Sequence, residues 1–175
     1  NIIEHFFFFL YISNSYLSNV DSSTGEVTIT LEASDELYNE TLKEVLGDHV
    51  SQAGSYVTDG VCRFDFTHFE KIKLDDLRKV ERLVNEKIDA SLESNIRELP
   101  IEEAKKLHAT ALFDEKYGDV VRVVSLGDYS TEFCGGCHVS NTSDIGMFII
   151  DSEESISSGV RRIEAVTGSA ALEKM

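Results

Sequence analysis

Cysteine, proline and basic residues are scarce in this sequence. Its three cysteines are too few for a disulfide-built scaffold, and they favour a cytosolic setting over an oxidising compartment. Only 16 Lys and Arg residues oppose 32 Asp and Glu residues, so the formal net charge is −16. Such a charge disfavours a large surface that follows the phosphates of a nucleic acid. Any contact with RNA is therefore expected to be local, or to be helped by other parts of a longer protein.

Apolar runs long enough to cross a bilayer are also missing. The most apolar segment, residues 6–12, is shorter than the roughly 20 residues that a transmembrane helix needs. Glu4 precedes it, at a place where a signal peptide has positive charge. We expect this segment to be a buried strand or an exposed truncation edge, and we expect no membrane partner. Because the chain begins with Asn1 instead of Met, we interpret it as a processed or excised piece.

The apolar pattern predicts helices early in the chain and strands late, which is an α+β fold. A helix is expected from the N-cap Ser34 to about Leu46, with Asp35 and Glu36 suiting the positive end of the helix dipole. Apolar residues recur every three or four positions between Leu74 and Leu92, which predicts a long amphipathic helix. Other expected elements are a hairpin over 53–66 around Asp59-Gly60, a short helix from Pro100 to Leu107, and strands at 26–31, 120–125, 130–133, 147–150 and 161–166.

The densest cluster of reactive side chains is Cys134-Gly135-Gly136-Cys137-His138, in which two glycines permit a tight turn. A Cys-x-x-Cys-His run is typical of c-type haem attachment, and Cys-x-x-Cys alone is typical of a redox dithiol. Neither the export signal nor the β-α-β unit that these sites require is visible. Cys134 and His138 are alternatively two zinc ligands four positions apart, or the turn simply contains a buried cysteine.

Six ordered blocks of the sequence closely resemble the editing domain of bacterial-type alanyl-tRNA synthetases. The blocks are 46–55, 63–69, 84–88, 115–124, 134–138 and 159–168. The resemblance implies a hydrolase that removes serine or glycine wrongly esterified to alanine tRNA. It also implies an antiparallel sheet wrapped around a long helix, a fold shared with the threonyl-tRNA synthetase second additional domain and with free-standing trans-editing proteins.

The resemblance divides the chain into three parts. Residues 1–31 are an unplaced N-terminal segment with a short strand, residues 32–168 are the editing domain, and residues 169–175 begin a C-terminal helix or linker. Aminoacylation and C-terminal domains are expected to belong to a parent synthetase. The expected partner is the 3′ end of alanine tRNA.

The metal site that the resemblance implies is only half matched. The family binds zinc with a His-x-x-x-His pair and a Cys-x-x-x-His pair, and Cys134 and His138 match the second pair. The first pair is replaced by Glu32 and Glu36, and the threonine of that motif is absent. Since carboxylate oxygens can bind zinc, a mixed site of these four residues is chemically possible. Loss of the metal is the alternative that we favour, because the two glutamates add charge to an already acidic body.

The remaining candidate site residues also follow from the resemblance. Gln52 matches the family's pocket glutamine, so Gln52 and Cys134 are the candidate catalytic residues. Arg63, Arg161 and Arg162 are candidates for contact with tRNA, although Arg161 and Arg162 must point to opposite faces of a strand. A second hypothesis is a degenerate, metal-poor editing fold that acts as a tRNA-binding or protein-interaction module.

Overall fold

The computed structural model describes residues 35–58, 61–107, 110–111, 118–134 and 138–175. Its helices are α1 (Asp35–Leu46), α2 (Leu74–Asp89), α3 (Ile101–Ala104) and α4 (Gly168–Lys174). Its strands are β1 (Gln52–Thr58), β2 (Val61–Thr67), β3 (Ser94–Pro100), β4 (Thr110–Ala111), β5 (Val120–Leu126), β6 (Ser130–Phe133), β7 (Phe148–Ser157) and β8 (Val160–Thr167). Short 3-10 turns lie at Lys105–Leu107 and Thr142–Ile145. The strand predicted at 26–31 and the N-cap Ser34 lie outside the described residues.

The first sheet has the strand order β1-β2-β8-β7 and is antiparallel throughout. β1 and β2 form the hairpin that the sequence predicts, although its turn, residues 59–60, lies outside the described residues. β7 runs to Ser157, so the predicted end at Ile150 was wrong. Apart from Ile156, the added residues are acidic or polar; most are exposed at the edge of the sheet, and they pair with β8.

The second sheet has the order β3-β5-β6-β4 and is antiparallel except for the two-residue parallel pair of β4 with β6. β3 was not predicted, because this edge strand is mostly exposed and lacks an apolar alternation. Pro100 is the last residue of β3, a position where its missing N–H costs the sheet little. The short helix therefore begins at Ile101 instead of Pro100.

The main core lies between the first sheet and the helices α1 and α2. It contains Leu37 and Leu42 from α1, Phe64 and Phe66 from β2, Val80, Val84 and Ile88 from α2, and Ile163 from β8. A smaller core of Ala104, Val121, Val123 and Phe133 belongs to the second sheet. This arrangement confirms the predicted α+β fold with an antiparallel sheet against a long helix.

The two long helices end for local reasons. α1 ends at Leu46 as predicted, because Gly47 takes φ +111° and donates its N–H to the Lys43 carbonyl at 2.8 Å. α2 ends at Asp89, before the predicted Leu92, and Ser91 takes a positive φ of 55°. Among the described residues, no helix is long and apolar enough to span a membrane.

Candidate functional site

A β-bulge at the start of β1 places Gln52 and Ser55 on the same face of the first sheet. Gln52 pairs with Phe66 and Ser55 pairs with Phe64, and both partners belong to the core. Residues three apart on a regular strand point to opposite faces, but the register shifts between Gln52 and Gly54 and inserts one extra residue. As a result, both polar side chains face α1.

Both side chains meet Asp35 in the first turn of α1. Gln52 Nε2 donates to Asp35 Oδ2 at 3.2 Å, and Ser55 Oγ donates to the same oxygen. Because the Gln52 nitrogen is directed to Asp35, its Oε1 is available as an acceptor. Gln52 is only 8% exposed, and within the described part of the chain Oε1 has no hydrogen-bond partner. A buried acceptor in this condition requires a donor from outside the described residues, such as a water molecule or a ligand.

The same face of α1 contacts the second sheet through a buried polar pair. Asn39 Nδ2 donates to Glu132 Oε1 at 3.0 Å, and both residues are fully buried. Asn39 lies one helical turn after Asp35. Glu132 lies in β6, two residues before Cys134. One face of α1 therefore connects the Gln52 cluster to the strand that leads into the Cys134–His138 motif.

The backbone of Cys134 is held by β5. Cys134 N–H donates to the Arg122 carbonyl at 3.2 Å, and Arg122 Nη1 donates to the Cys134 carbonyl at 3.0 Å. The Cys134 side chain is half-buried and His138 is buried. Residues 135–137, which include Cys137, lie outside the described part of the structure.

The predicted metal ligands are only partly within the described residues. Glu32 and the side chain of Glu36 lie outside them, whereas Cys134 and His138 are described. Among the described side chains, no three groups able to bind a metal lie together. Joint ligation by the four predicted residues therefore stays a prediction.

Comparison with known proteins identifies sequence relatives of this chain. Residues 121–164 match the family model of the threonyl and alanyl tRNA synthetase second additional domain. An alanine–tRNA ligase of Bacillus anthracis is 53% identical over 156 residues, which cover 89% of this chain and 18% of that protein. The alanine–tRNA ligase of Bacillus subtilis (strain 168) is 58% identical over 139 residues, which cover 79% of this chain and 16% of that protein. The chain contains an alanyl-tRNA synthetase editing-type domain. It spans less than a fifth of the length of these two relatives.

The editing-type domain directs its two adjacent candidate arginines to opposite faces of β8, as the sequence predicts. Arg161 pairs across the sheet with the core residue Phe66, is buried, and forms an ion pair with Glu153. Arg162 pairs across the sheet with Asp65 and donates two hydrogen bonds to its carboxylate, each 2.7 Å long. Each guanidinium therefore already has an acidic partner within the domain.

The third candidate arginine has a different partner. The Arg63 guanidinium lies 5.1 Å from the centre of the Tyr56 ring, at cation–π distance. Arg63 is two residues from Asp65 on β2, so both lie on the sheet face that points away from the core. Arg63 pairs across the sheet with Glu164, and its described side-chain contact is with an aromatic ring instead of a bidentate carboxylate.

A histidine pair holds the loop that precedes Gln52. His49 Nε2 and His68 Nδ1 are 2.8 Å apart, so at least one ring is neutral. Thr67 Oγ1 donates to the His49 carbonyl at 2.8 Å and accepts from the Ser51 N–H at 2.9 Å. Burial, and next the neighbouring His49, lower the pKa of His68. The pair depends on the β1–β2 hairpin, so its separation of 19 residues offers no signal in the sequence.

Proposed function

We propose that this domain hydrolyses the ester bond of seryl- or glycyl-tRNA(Ala), the editing reaction of an alanine–tRNA ligase, in the cytosol. The relationship to alanine–tRNA ligases supports this proposal. The observation that carries it is the buried Gln52 amide, which Asp35 orients beside the helix face that leads to Cys134. The RNA partner is the 3′ end of alanine tRNA. Aminoacylation and C-terminal domains of a parent synthetase are the expected protein partners.

The chemistry requires little beyond positioning. An aminoacyl ester is already reactive, so a site that holds the carbonyl and admits one water accelerates hydrolysis. In this proposal, Gln52 Oε1 accepts a hydrogen bond from the amino acid or the terminal ribose. The half-buried Cys134 and the buried His138 lie on the segment that follows β6, where they would face the ester from the second sheet.

Zinc fits the donors that this chain offers. The Cys134 thiolate and the His138 imidazole are its preferred ligands, and carboxylates at Glu32 and Glu36 would provide oxygen donors. When bound, zinc would polarise the ester carbonyl or lower the pKa of a water. We propose that zinc is lost or at most weakly held, since two imidazoles of the family's set are replaced by carboxylates.

Deacylation assays test the proposed activity. The unmodified protein should hydrolyse seryl- and glycyl-tRNA(Ala) faster than alanyl-tRNA(Ala). Gln52→Ala should lower the rate on the seryl ester about tenfold, the effect of losing one hydrogen bond of about 1.4 kcal/mol. Asn95→Ala is the matched control, because it removes an exposed amide from the edge strand β3. Equal rates on the three esters, or an unchanged rate in Gln52→Ala, would contradict the proposal.

The degenerate-module hypothesis is the second candidate function. Glu32 and Glu36 at the family's histidine positions favour it, as do the in-chain partners of Arg161 and Arg162. The degenerate-module hypothesis predicts that the protein binds tRNA without hydrolysing the ester. Replacing Glu32 and Glu36 with histidine should raise zinc retention after dialysis, and Cys134→Ala should abolish that gain. His49→Ala is the control for metal that is bound at the exposed histidine pair instead.

A further inference from the structure

We propose that Asp35 is a specificity-determining residue that, together with Gln52, receives the α-ammonium group of the aminoacyl ester. This inference rests on the proposed editing function.

The first step is the orientation of Gln52. Its Nε2 donates to Asp35 Oδ2 at 3.2 Å, which leaves Oε1 as an acceptor. Gln52 is 8% exposed, and no donor among the described residues reaches Oε1. The bulge in β1 then adds Ser55, whose hydroxyl donates to the same Asp35 oxygen. Asp35 thus fixes the direction in which Gln52 presents its acceptor.

The second step is the chemistry that such a cluster recognises. A carboxylate next to a buried carbonyl oxygen is complementary to a cationic hydrogen-bond donor, because the ligand gains both charge attraction and donors. A phosphate would be repelled by both groups. An ammonium group has three N–H donors, so it can donate to Gln52 Oε1 and to the Asp35 carboxylate at the same time.

The third step is access. Asp35 is half-buried and Ser55 is exposed, so the cluster opens to the surface at the start of α1. In an aminoacyl ester the α-ammonium group is attached to the carbon next to the ester carbonyl. Holding the ammonium therefore also positions the carbonyl that water attacks.

The substitution Asp35→Asn separates charge from geometry. The asparagine Oδ1 can still accept from Gln52 and Ser55, whereas the negative charge is lost. Asp128→Asn is the matched control, because Asp128 is exposed in the turn between β5 and β6. Thermal unfolding of both variants checks that they are folded.

The experiment compares seryl-tRNA(Ala) with N-acetyl-seryl-tRNA(Ala), in which the amine is a neutral amide. The unmodified protein should hydrolyse the acetylated ester at least about tenfold more slowly, corresponding to about 1.4 kcal/mol. Asp35→Asn should slow hydrolysis of the seryl ester by a similar factor and leave the acetylated ester nearly unchanged, so that the preference disappears. Asp35→Glu should retain part of the preference, since it keeps the charge.

The outcomes separate this inference from the proposed function. Equal hydrolysis of the two esters by the unmodified protein would overturn the inference alone and leave editing standing. If Asp35→Asn lowered the hydrolysis rates of both esters equally, the inference would also be overturned. Asp35 would then support the structure of the site without contacting the ammonium group. Hydrolysis of neither ester by the unmodified protein would overturn the proposed function and this inference with it.

Discussion

The buried contact between Asn39 and Glu132 should be one of the strongest polar links in the domain. Both side chains are fully buried, and the Asn39 amide donates to the Glu132 carboxylate at 3.0 Å. Removing one partner of a buried hydrogen bond leaves the other unsatisfied, which costs about 1–3 kcal/mol. Asn39→Ala also leaves a small cavity, so the free energy of unfolding should fall by roughly 2–3 kcal/mol. For a chain of this length the melting temperature should then fall by about 4–12 °C.

Denaturant unfolding of four proteins measures this contact directly. The set is the unmodified chain, Asn39→Ala, Glu132→Ala and the double variant, which together give the coupling energy between the two side chains. We expect a coupling of at least about 1 kcal/mol. The exposed Asn95→Ala serves as the control and should stay within about 0.5 kcal/mol of the unmodified chain. A coupling near zero would refute the idea that this bond joins α1 to β6.

Three further outcomes are expected. Val84 is fully buried in α2, so Val84→Ala should lower the free energy of unfolding by about 2–3 kcal/mol. Leu74 is exposed on the same helix, and Leu74→Ala should change the free energy of unfolding little. Similar losses in the two variants would contradict the assigned helix face. Gly146→Ala should lower the free energy of unfolding by roughly 1–3 kcal/mol, because Gly146 takes φ 71° and ψ −163° and an added Cβ would lie 3.0 Å from a backbone atom. Gly118→Ala is the control, because a Cβ added there would lie 3.8 Å from its nearest neighbour. Chemical denaturation measures both variants. The pKa of His68 is lowered in the folded state, so the unfolded chain takes up the proton first as the pH falls below 6.5. The stabilisation by neutral His68 is therefore present above pH 6.5. It is lost as the pH falls towards the lower pKa of the folded state. His68→Asn should therefore flatten the stability–pH curve on the acid side of 6.5, and an unchanged curve would show that this histidine does not cause it.

Elements with a strong local signal could be predicted from the sequence. Gly47 ends α1 by taking a positive φ, and the β6 bounds 130–133 agree with the prediction. The three-and-four spacing of apolar residues in α2 corresponds to the buried Val80, Val84 and Ile88. These signals depend on neighbours within about one turn or one hairpin, so no tertiary information is needed to interpret them.

Edge strands could not be predicted in the same way. β3 and the second half of β7 have mostly exposed side chains, so neither has an apolar face to mark it. Their order comes from backbone pairing with β5 and β8, which are distant in sequence or reached through a turn. The alternation of apolar and polar side chains along one strand does not predict such pairing.

The candidate site was predictable as a set of residues but not as an arrangement. The resemblance singles out Gln52, Cys134 and His138. Asp35 was interpreted only as a carboxylate that suits the helix dipole, and Ser55 was not singled out. Their convergence with Gln52 requires the bulge in β1, which reverses the facing of every residue that precedes it. A one-residue change of register is invisible in a sequence without its partner strand.

The acidic composition and an RNA substrate are compatible if recognition is confined to the end of the tRNA. Arg161 and Arg162 are each paired with a carboxylate, Glu153 and Asp65, so little free positive charge remains on β8 for the phosphates of a long duplex. Each neutralised phosphate contributes separately to affinity, so a chain with a net charge of −16 and paired arginines on β8 is expected to bind RNA weakly by itself. Under the proposed function, discrimination would come from the short-range contacts around Gln52 and Asp35, on the amino acid instead of the polynucleotide. The relatives of this chain are more than five times as long as the part it matches, and their other regions are where the remaining affinity for tRNA would be expected.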